Sequence, residues 1–151
     1  MSENIYDALR DSHENQRSLL RRLVRTEDAK ERQQLFETLR IELEAHEAAE
    51  ERFLYAPMLM DDNGLDATRH ALHEHHEIDE LVADLAKLKP SGDAWLEKAR
   101  ALSEQVHHHL REEENKFFQV SGKILSEAQK TELAERYRDD FERLQEQGGT
   151  H

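Results

Sequence analysis

Four histidines and two glutamates recur in a pattern suited to metal ligation. His46 with Glu50 forms one HxxxE pair and His109 with Glu113 a second. Four residues advance an α-helix by about 400° and about 6 Å, so both side chains of each pair leave the same face. His13 and His75 precede the two pairs, and the spacings repeat. His13 to His75 is an offset of 62, whereas His46 to His109 and Glu50 to Glu113 are offsets of 63. The flanking apolar residues keep step, Leu23 with Leu85 and Leu54 with Phe117, as expected of a helix pair that occurs twice. Burying such groups without partners costs several kcal/mol per charge, so they need one another, water or a cation. Two glutamates from opposite helices can bridge two divalent ions while the imidazoles of His13, His46, His75 and His109 fill terminal positions. Nitrogen and oxygen donors without thiolate favour iron or manganese over a structural zinc.

The elements that must position these residues are legible as periodic apolar stripes. The first helix spans residues 3 to 25, with Ile5, Leu9, His13, Gln16, Leu20 and Leu23 on one line. The second runs from Glu27 to Met60 behind a Thr26 or Asp28 cap, with Phe36, Leu39, Leu43, His46, Glu50, Phe53 and Pro57 inward. Asp61-Asp62-Asn63-Gly64 makes the turn into a third helix over 66 to 89, with Asp66 as its cap and a stripe from Ala71 through His75 to Leu88. Pro90-Ser91-Gly92-Asp93 separates it from a fourth helix, capped by Asp93, that reaches Val120 with Leu102, Val106, His109, Glu113, Phe117 and Val120 inward. Ser126 with Gln129 three residues on is a capping-box pattern and opens a fifth helix carrying Leu133, Tyr137, Phe141 and Leu144. Short loops make sequential helices antiparallel. The expected fold is all-α, an up-down-up-down four-helix bundle with a short C-terminal fifth helix, over residues 1–146 with a flexible tail at 147–151.

Composition narrows the functions. The 151 residues are one domain's worth, and only 5 Gly and 2 Pro interrupt helix-forming sequence. A mean hydropathy of −0.96 is low, but the apolar residues are regularly spaced, as folding requires. With 34 acidic against 21 basic residues the formal charge is −13, which disfavours nucleic acid and anionic lipid as partners. The absence of Cys excludes disulfides, thiolate metal sites and a cysteine nucleophile. No apolar run approaches the roughly 20 residues that span a bilayer and the N-terminus is too polar for a secretory signal, so a cytoplasmic protein is expected. No P-loop, GxGxxG or nucleophile-elbow pattern occurs.

The segments Ile5–Leu23 (IYDALRDSHENQRSLLRRL), Leu39–Pro57 (LRIELEAHEAAEERFLYAP), Glu74–Leu85 (EHHEIDELVADL) and His107–Phe118 (HHHLREEENKFF) carry a resemblance. The chain resembles the bacterial hemerythrin-like HHE cation-binding family over nearly its whole length, and LSEAQKTELAERY is similar to that family's C-terminal segment. The resemblance implies a non-haem di-iron centre, two Fe ions for which Mn or Zn can substitute. His13, His46, His75 and His109 would be terminal ligands, with Glu50 and Glu113 bridging. It makes Glu47, which follows His46, a further candidate ligand. It also implies a small-molecule ligand, O2, H2O2 or NO, and a role in sensing, oxidation, detoxification, stress response or iron handling. Hemerythrins proper carry a second histidine four residues before the third-helix ligand, where this chain has Ala71. The departure removes one terminal ligand and leaves room for water, an exogenous ligand or Glu47. Ser12 stands where the family usually has Asp, and Gln119 stands where a proline often ends the fourth helix.

Other readings compete at single positions. His73 and His76 rival His75, but counting by three from Ile78 reaches His75, whereas His76 is displaced by about 100°. His70, His73, His107 and His108 miss the stripes and read as solvated or as supports standing behind the ligands. Gln16 reads as a buried amide or as a polar contact near a metal. Phe53, Leu54, Tyr55, Phe117 and Phe118 read as packing, and of Glu112-Glu113-Glu114 only Glu113 lies on the inward line. The alternative for the whole chain is a metal-free acidic bundle acting as an interaction or adaptor module.

Overall fold

The computed structural model describes residues 3–148, so residues 149–151 of the expected tail lie outside the described part. Seven α-helical segments are joined by two π-helical turns: α1 (Ile5–Arg25), α2 (Ala29–Glu50), α3 (Ala56–Leu59), α4 (Leu65–Ala86), α5 (Asp93–Glu112), α6 (Phe118–Ile124) and α7 (Glu127–Glu146). The π-helical turns are Glu51–Tyr55, linking α2 to α3, and Glu113–Phe117, linking α5 to α6. The result is four long rods and a fifth helix, the all-α bundle expected from the stripes. At 20 residues α7 is as long as α5 and lies along α1 and α2.

Local signals account for most helix ends. Asn4 and Asp7 close a capping box on α1, and Ser126 and Gln129 do the same on α7. Asp28, rather than Thr26, caps α2 through the Glu31 amide. Gly64 and Gly92 stand at the caps of α4 and α5, which moves Asp66 and Asp93 into the first turns. There their charges face the positive ends of the helix dipoles. Gly64 also packs so closely that an added Cβ would fall 2.8 Å from the Met58 carbonyl oxygen.

Beyond Glu50 and Glu113 the expected inward lines shift, at Pro57 and at the equivalent Val120, although Phe117 stays buried as expected. Phe53 and Pro57 are only half-buried, whereas Leu54, Tyr55 and Met58 are fully inside. In the fourth rod Val120 is half-buried while Phe118 and Ser121 are buried, and the helix continues past Gly122 to Ile124. The π-helical turns explain both shifts: each adds about one residue to a turn, so the inward line moves on by one position. Elsewhere the stripes hold, although Leu133 and Phe141 of α7 yield the deepest positions to Ala134 and Tyr137.

Two large apolar clusters make up most of the core, with a small third of Ala45, Ala48 and Leu144. Leu19, Leu23, Leu39, Val82, Trp95 and Leu102 belong to the cluster at one end, and Ile5, Leu9, Leu54, Met58, Phe117 and Tyr137 to the other. Between them lies a polar layer. His13, His46, Glu50, His75, His109 and Glu113 are each 3% exposed or less.

Candidate metal centre

Two turns of neighbouring rods deliver the layer. His13 comes from α1 and His46 with Glu50 from α2, while His75 comes from α4 and His109 with Glu113 from the fourth rod. Ligand atoms of His13, His46, Glu50 and Glu113 lie within 4.8 Å of one another, and so do those of Glu50, His75, His109 and Glu113. The two sets share both carboxylates. All four Nε2 atoms face them: His13 at 3.1 Å and His109 at 3.7 Å from Glu113, His46 at 3.4 Å and His75 at 3.3 Å from Glu50. This is the donor arrangement of a carboxylate-bridged pair of cations.

Several of these atoms are left without a protein partner. Both oxygens of Glu50, Glu113 Oε1, and Nε2 of His13, His46 and His109 are buried with no hydrogen bond. Buried polar atoms are almost always paired, so six orphans at one point mark a place built for something else. Neutral imidazoles and carboxylates fit first-row divalent cations.

The outer nitrogens explain why the rings face this way. His13 Nδ1 donates to Glu114 at 2.7 Å, His75 Nδ1 to Glu51 at 2.8 Å and His109 Nδ1 to Glu74 at 2.8 Å. His46 Nδ1 donates to the Tyr137 hydroxyl at 2.7 Å, itself bonded to Ser12 Oγ at 2.7 Å. A proton fixed on Nδ1 leaves the Nε2 lone pair pointing at the cavity, the usual support for a ligating imidazole. Sequence reasoning missed Glu51, Glu74, Glu114 and Tyr137 in these roles. The repeat carried a signal for two of them, since Glu51 and Glu114 each follow a bridging glutamate and are themselves 63 residues apart. Ser12 and Glu74 are also equivalent, at an offset of 62. Tyr137 fills the gap that the shorter serine leaves.

Charge follows the hydrogen bonds. Burial alone would depress His13, but the Glu113 and Glu114 carboxylates beside its ring raise its pKa to about 9. Burial likewise opposes the charged form of His75, yet Glu47, Glu50 and Glu51 hold it well above the usual imidazole range. For Glu50, burial is outweighed by His46 and His75, which keep the carboxyl well below its ordinary value. Glu114 is driven down to about 2 against its own burial, by His13 and Arg17.

Tyr55, read from sequence as packing, sits at the centre. Burial, then Glu113 and Glu50, push its phenol well above the usual range. It therefore keeps its proton and donates it to Glu113, with its oxygen 3.4 Å from His75 Nε2. The π-helical turn after Glu50 is what swings it there. Glu47 lies apart from the Nε2 donors, on the other side of His75, 3.9 Å from Nδ1. Its carboxyl is raised by burial and by Asp79 and Glu51. Gln16 is buried one turn from His13 with its Nε2 unpaired, beside the equally buried Glu42, whose carboxyl burial raises.

The competing histidines separate cleanly. The side chains of His73 and His76 are 68% and 70% exposed and pair with Glu77 and Glu80. His107 donates to the Ser103 carbonyl. His70 and His108 flank the second oxygen of Glu74, at 3.4 and 3.2 Å. A cleft of about 500 Å³ between α4 and the fourth rod passes Ala67, Ala71 and Phe117 to reach Glu74, His109 and Glu113. Ala71, standing where a bulkier ligand would project, leaves that side open.

With the geometry in hand, the chain compares with known proteins as follows. The family model described as Hemerythrin HHE cation binding domain matches residues 4–120. A Nostoc sp. protein named DNA nickase is 27% identical over 146 residues, which is 97% of this chain and 41% of that protein, so this chain spans less than half of that relative's length. The crystal structure of a Hemerythrin HHE cation binding domain-containing protein from Mycobacterium kansasii superposes with a TM-score of 0.86 at 21% identity, over 96% of this chain and 89% of that one. The last match is one of fold.

Proposed function

The chain belongs to the hemerythrin HHE cation-binding family, and on that premise we propose that it holds two iron ions and brings a small redox-active molecule, O2, peroxide or NO, to them through the Ala71 cleft. The observation that carries the reading is the pair of four-donor sets sharing Glu50 and Glu113, with six buried donor atoms otherwise unpaired. Iron in such a site supplies reversible one-electron chemistry toward diatomic ligands and peroxide.

This chain's own residues do the rest. Glu50 and Glu113 would span both ions and offset their charge, while His13, His46, His75 and His109 supply neutral nitrogens aimed by their outer acceptors. Tyr55 holds a proton beside His75 and Glu113 and can offer it to a ligand entering by the cleft. Phe118, stacked on His13 with ring centroids 6.0 Å apart, closes the other side to water. The acidic surface, with a net charge of −13, gives no support for carrying over the nicking activity in the cyanobacterial relative's name.

The test is anaerobic loading with ferrous iron, then separate addition of O2, H2O2 and NO under optical observation. Near-ultraviolet oxo-bridge absorption and about two irons per chain are expected from the shared carboxylates. Reversible spectra mean binding or sensing, and irreversible change with product means turnover. A colourless protein that melts alike with and without iron would sink the reading and leave the acidic bundle as an interaction module.

A further inference from the structure

A second donor set lies just outside the inner layer. Glu47 on α2 and Glu51, the first residue of the π-helical turn that follows, are one turn apart, and on α4 His75 and Asp79 are likewise one turn apart. Ligand atoms of Glu47, Glu51 and His75 lie within 4.8 Å of one another, and Asp79 sits beside the Glu47 carboxyl. The Glu47 side chain is 7% exposed and its Oε2 has no hydrogen-bond partner.

The repeat supplies a control. Offsets of 62 and 63 map Glu47, Glu51, His75 and Asp79 onto Leu110, Glu114, His13 and Arg17. At that equivalent place the Arg17 guanidinium grips Glu114, with Nη2 2.9 Å from Oε1, and Leu110 is apolar and buried. One half thus carries its own cation. In the other half the arginine is an aspartate and the leucine is a glutamate. Among the described residues no lysine or arginine pairs with Glu47, Glu51 or Asp79. Glu47 neighbours two other carboxylates, Glu51 and Asp79, where the twin has a leucine near one carboxylate and a guanidinium, and like charges this close repel strongly away from bulk water.

We infer that Glu47, Glu51 and Asp79 form an outer divalent-cation site, separate from the inner pair, in which a metal ion takes the place that Arg17 fills in the other half. His75 keeps its Nδ1 proton on Glu51, so the ligands are carboxylate oxygens and water, the donor set of Mn2+, Fe2+ or Mg2+. Asp79 is exposed and the Glu51 side chain is 40% exposed, so the site opens to solvent. The inference stands whether or not the inner donors hold iron.

Counting Mn2+ by electron paramagnetic resonance on the full, metal-stripped chain tests it. Mn2+ is the divalent first-row ion least drawn to the surface imidazoles. The parent is expected to take up one Mn2+ per chain more than Asp79→Arg, which installs the twin's cation, and Asp79→Asn to weaken that ion at least tenfold. Glu50→Ala with Glu113→Ala should lose the inner ions and retain the outer one. An Asp79-dependent ion in a parent that binds no others supports the outer site while counting against the inner reading. Equal uptake by the parent and both Asp79 variants overturns the proposal. The melting temperature of metal-free Asp79→Arg, expected at or above the parent's, shows that any lost ion is not lost folding.

Discussion

In the half of the centre made by α1 and α2, His46 is steadied by the neutral hydroxyl of Tyr137, backed by Ser12. In the half made by α4 and the fourth rod, His109 is steadied by the carboxylate of Glu74, which occupies the position equivalent to Ser12. The inner donors of the two halves are the same in kind and repeat in sequence, yet their surroundings differ at almost every step. Phe118 covers His13, while its counterpart Tyr55 offers a hydroxyl to Glu113 next to His75. The cleft past Ala71 reaches only the second of these halves. A charged acceptor raises the basicity of a ligating imidazole more than a phenol does. The repeat therefore fixes where the inner donors converge, and the departures from it decide which half meets the outside.

The largest expected effect comes from removing what the halves share. Glu50→Ala with Glu113→Ala should abolish uptake by both, and with it the part of the metal-induced rise in melting temperature that the inner ions supply. That rise corresponds to about 4 kcal/mol when free metal stands about a thousandfold above its Kd. Retention of the full rise would show that the carboxylates do not bridge. Next, Glu74→Gln should weaken metal binding by about 10- to 100-fold and Tyr137→Phe by less, because only the first removes a charge behind a ligand. Calorimetric titration of the two variants side by side checks the order, and equal losses would erase the distinction between the halves.

A pH series separates the metal-free from the loaded state. The folded pKa of His13, about 9, lies above its ordinary 6.5. Its ion pairs therefore stabilise the metal-free protein fully below pH 6.5 and are lost as the pH rises through 9. Metal binding needs neutral imidazole, so its contribution moves the opposite way. The gap between the melting temperatures with and without metal should widen from pH 6.5 to 9, and a constant gap would contradict imidazole ligation. The smallest change is expected from Tyr55→Phe. Metal count should stay the same while the spectrum of a bound ligand shifts, since only the proton beside the open side is gone. A lost ion in that variant would make Tyr55 a structural rather than a ligand-facing group.

The helices, the caps of α2 and α7 and the convergence of six inner side chains could be read from the chain because each rests on local rules: apolar residues every three or four positions, a side chain that accepts from N3, and histidine and glutamate four apart on one face; the Asp66 and Asp93 caps could not, since glycines took those places. The repeat added the pairing of the halves. What the sequence did not reveal were the groups one layer out. Glu51 and Glu114 lie beside the stripe rather than on it, Glu74 looks like one more surface carboxylate, and Tyr137 comes from a helix more than ninety residues along the chain from the imidazole it holds. Phe118 packs as its residue type suggests, but the hydroxyl of Tyr55 at the centre was missed because nothing in its residue type announces a π-helical turn. That turn exists only when the whole rod finds better packing with one residue more in it. Local periodicity is a property of the chain, and it determined the donors. Which acceptor stands behind each ring, which side is open and where an uncompensated charge remains depend on residues far apart in sequence, so packing alone decided them.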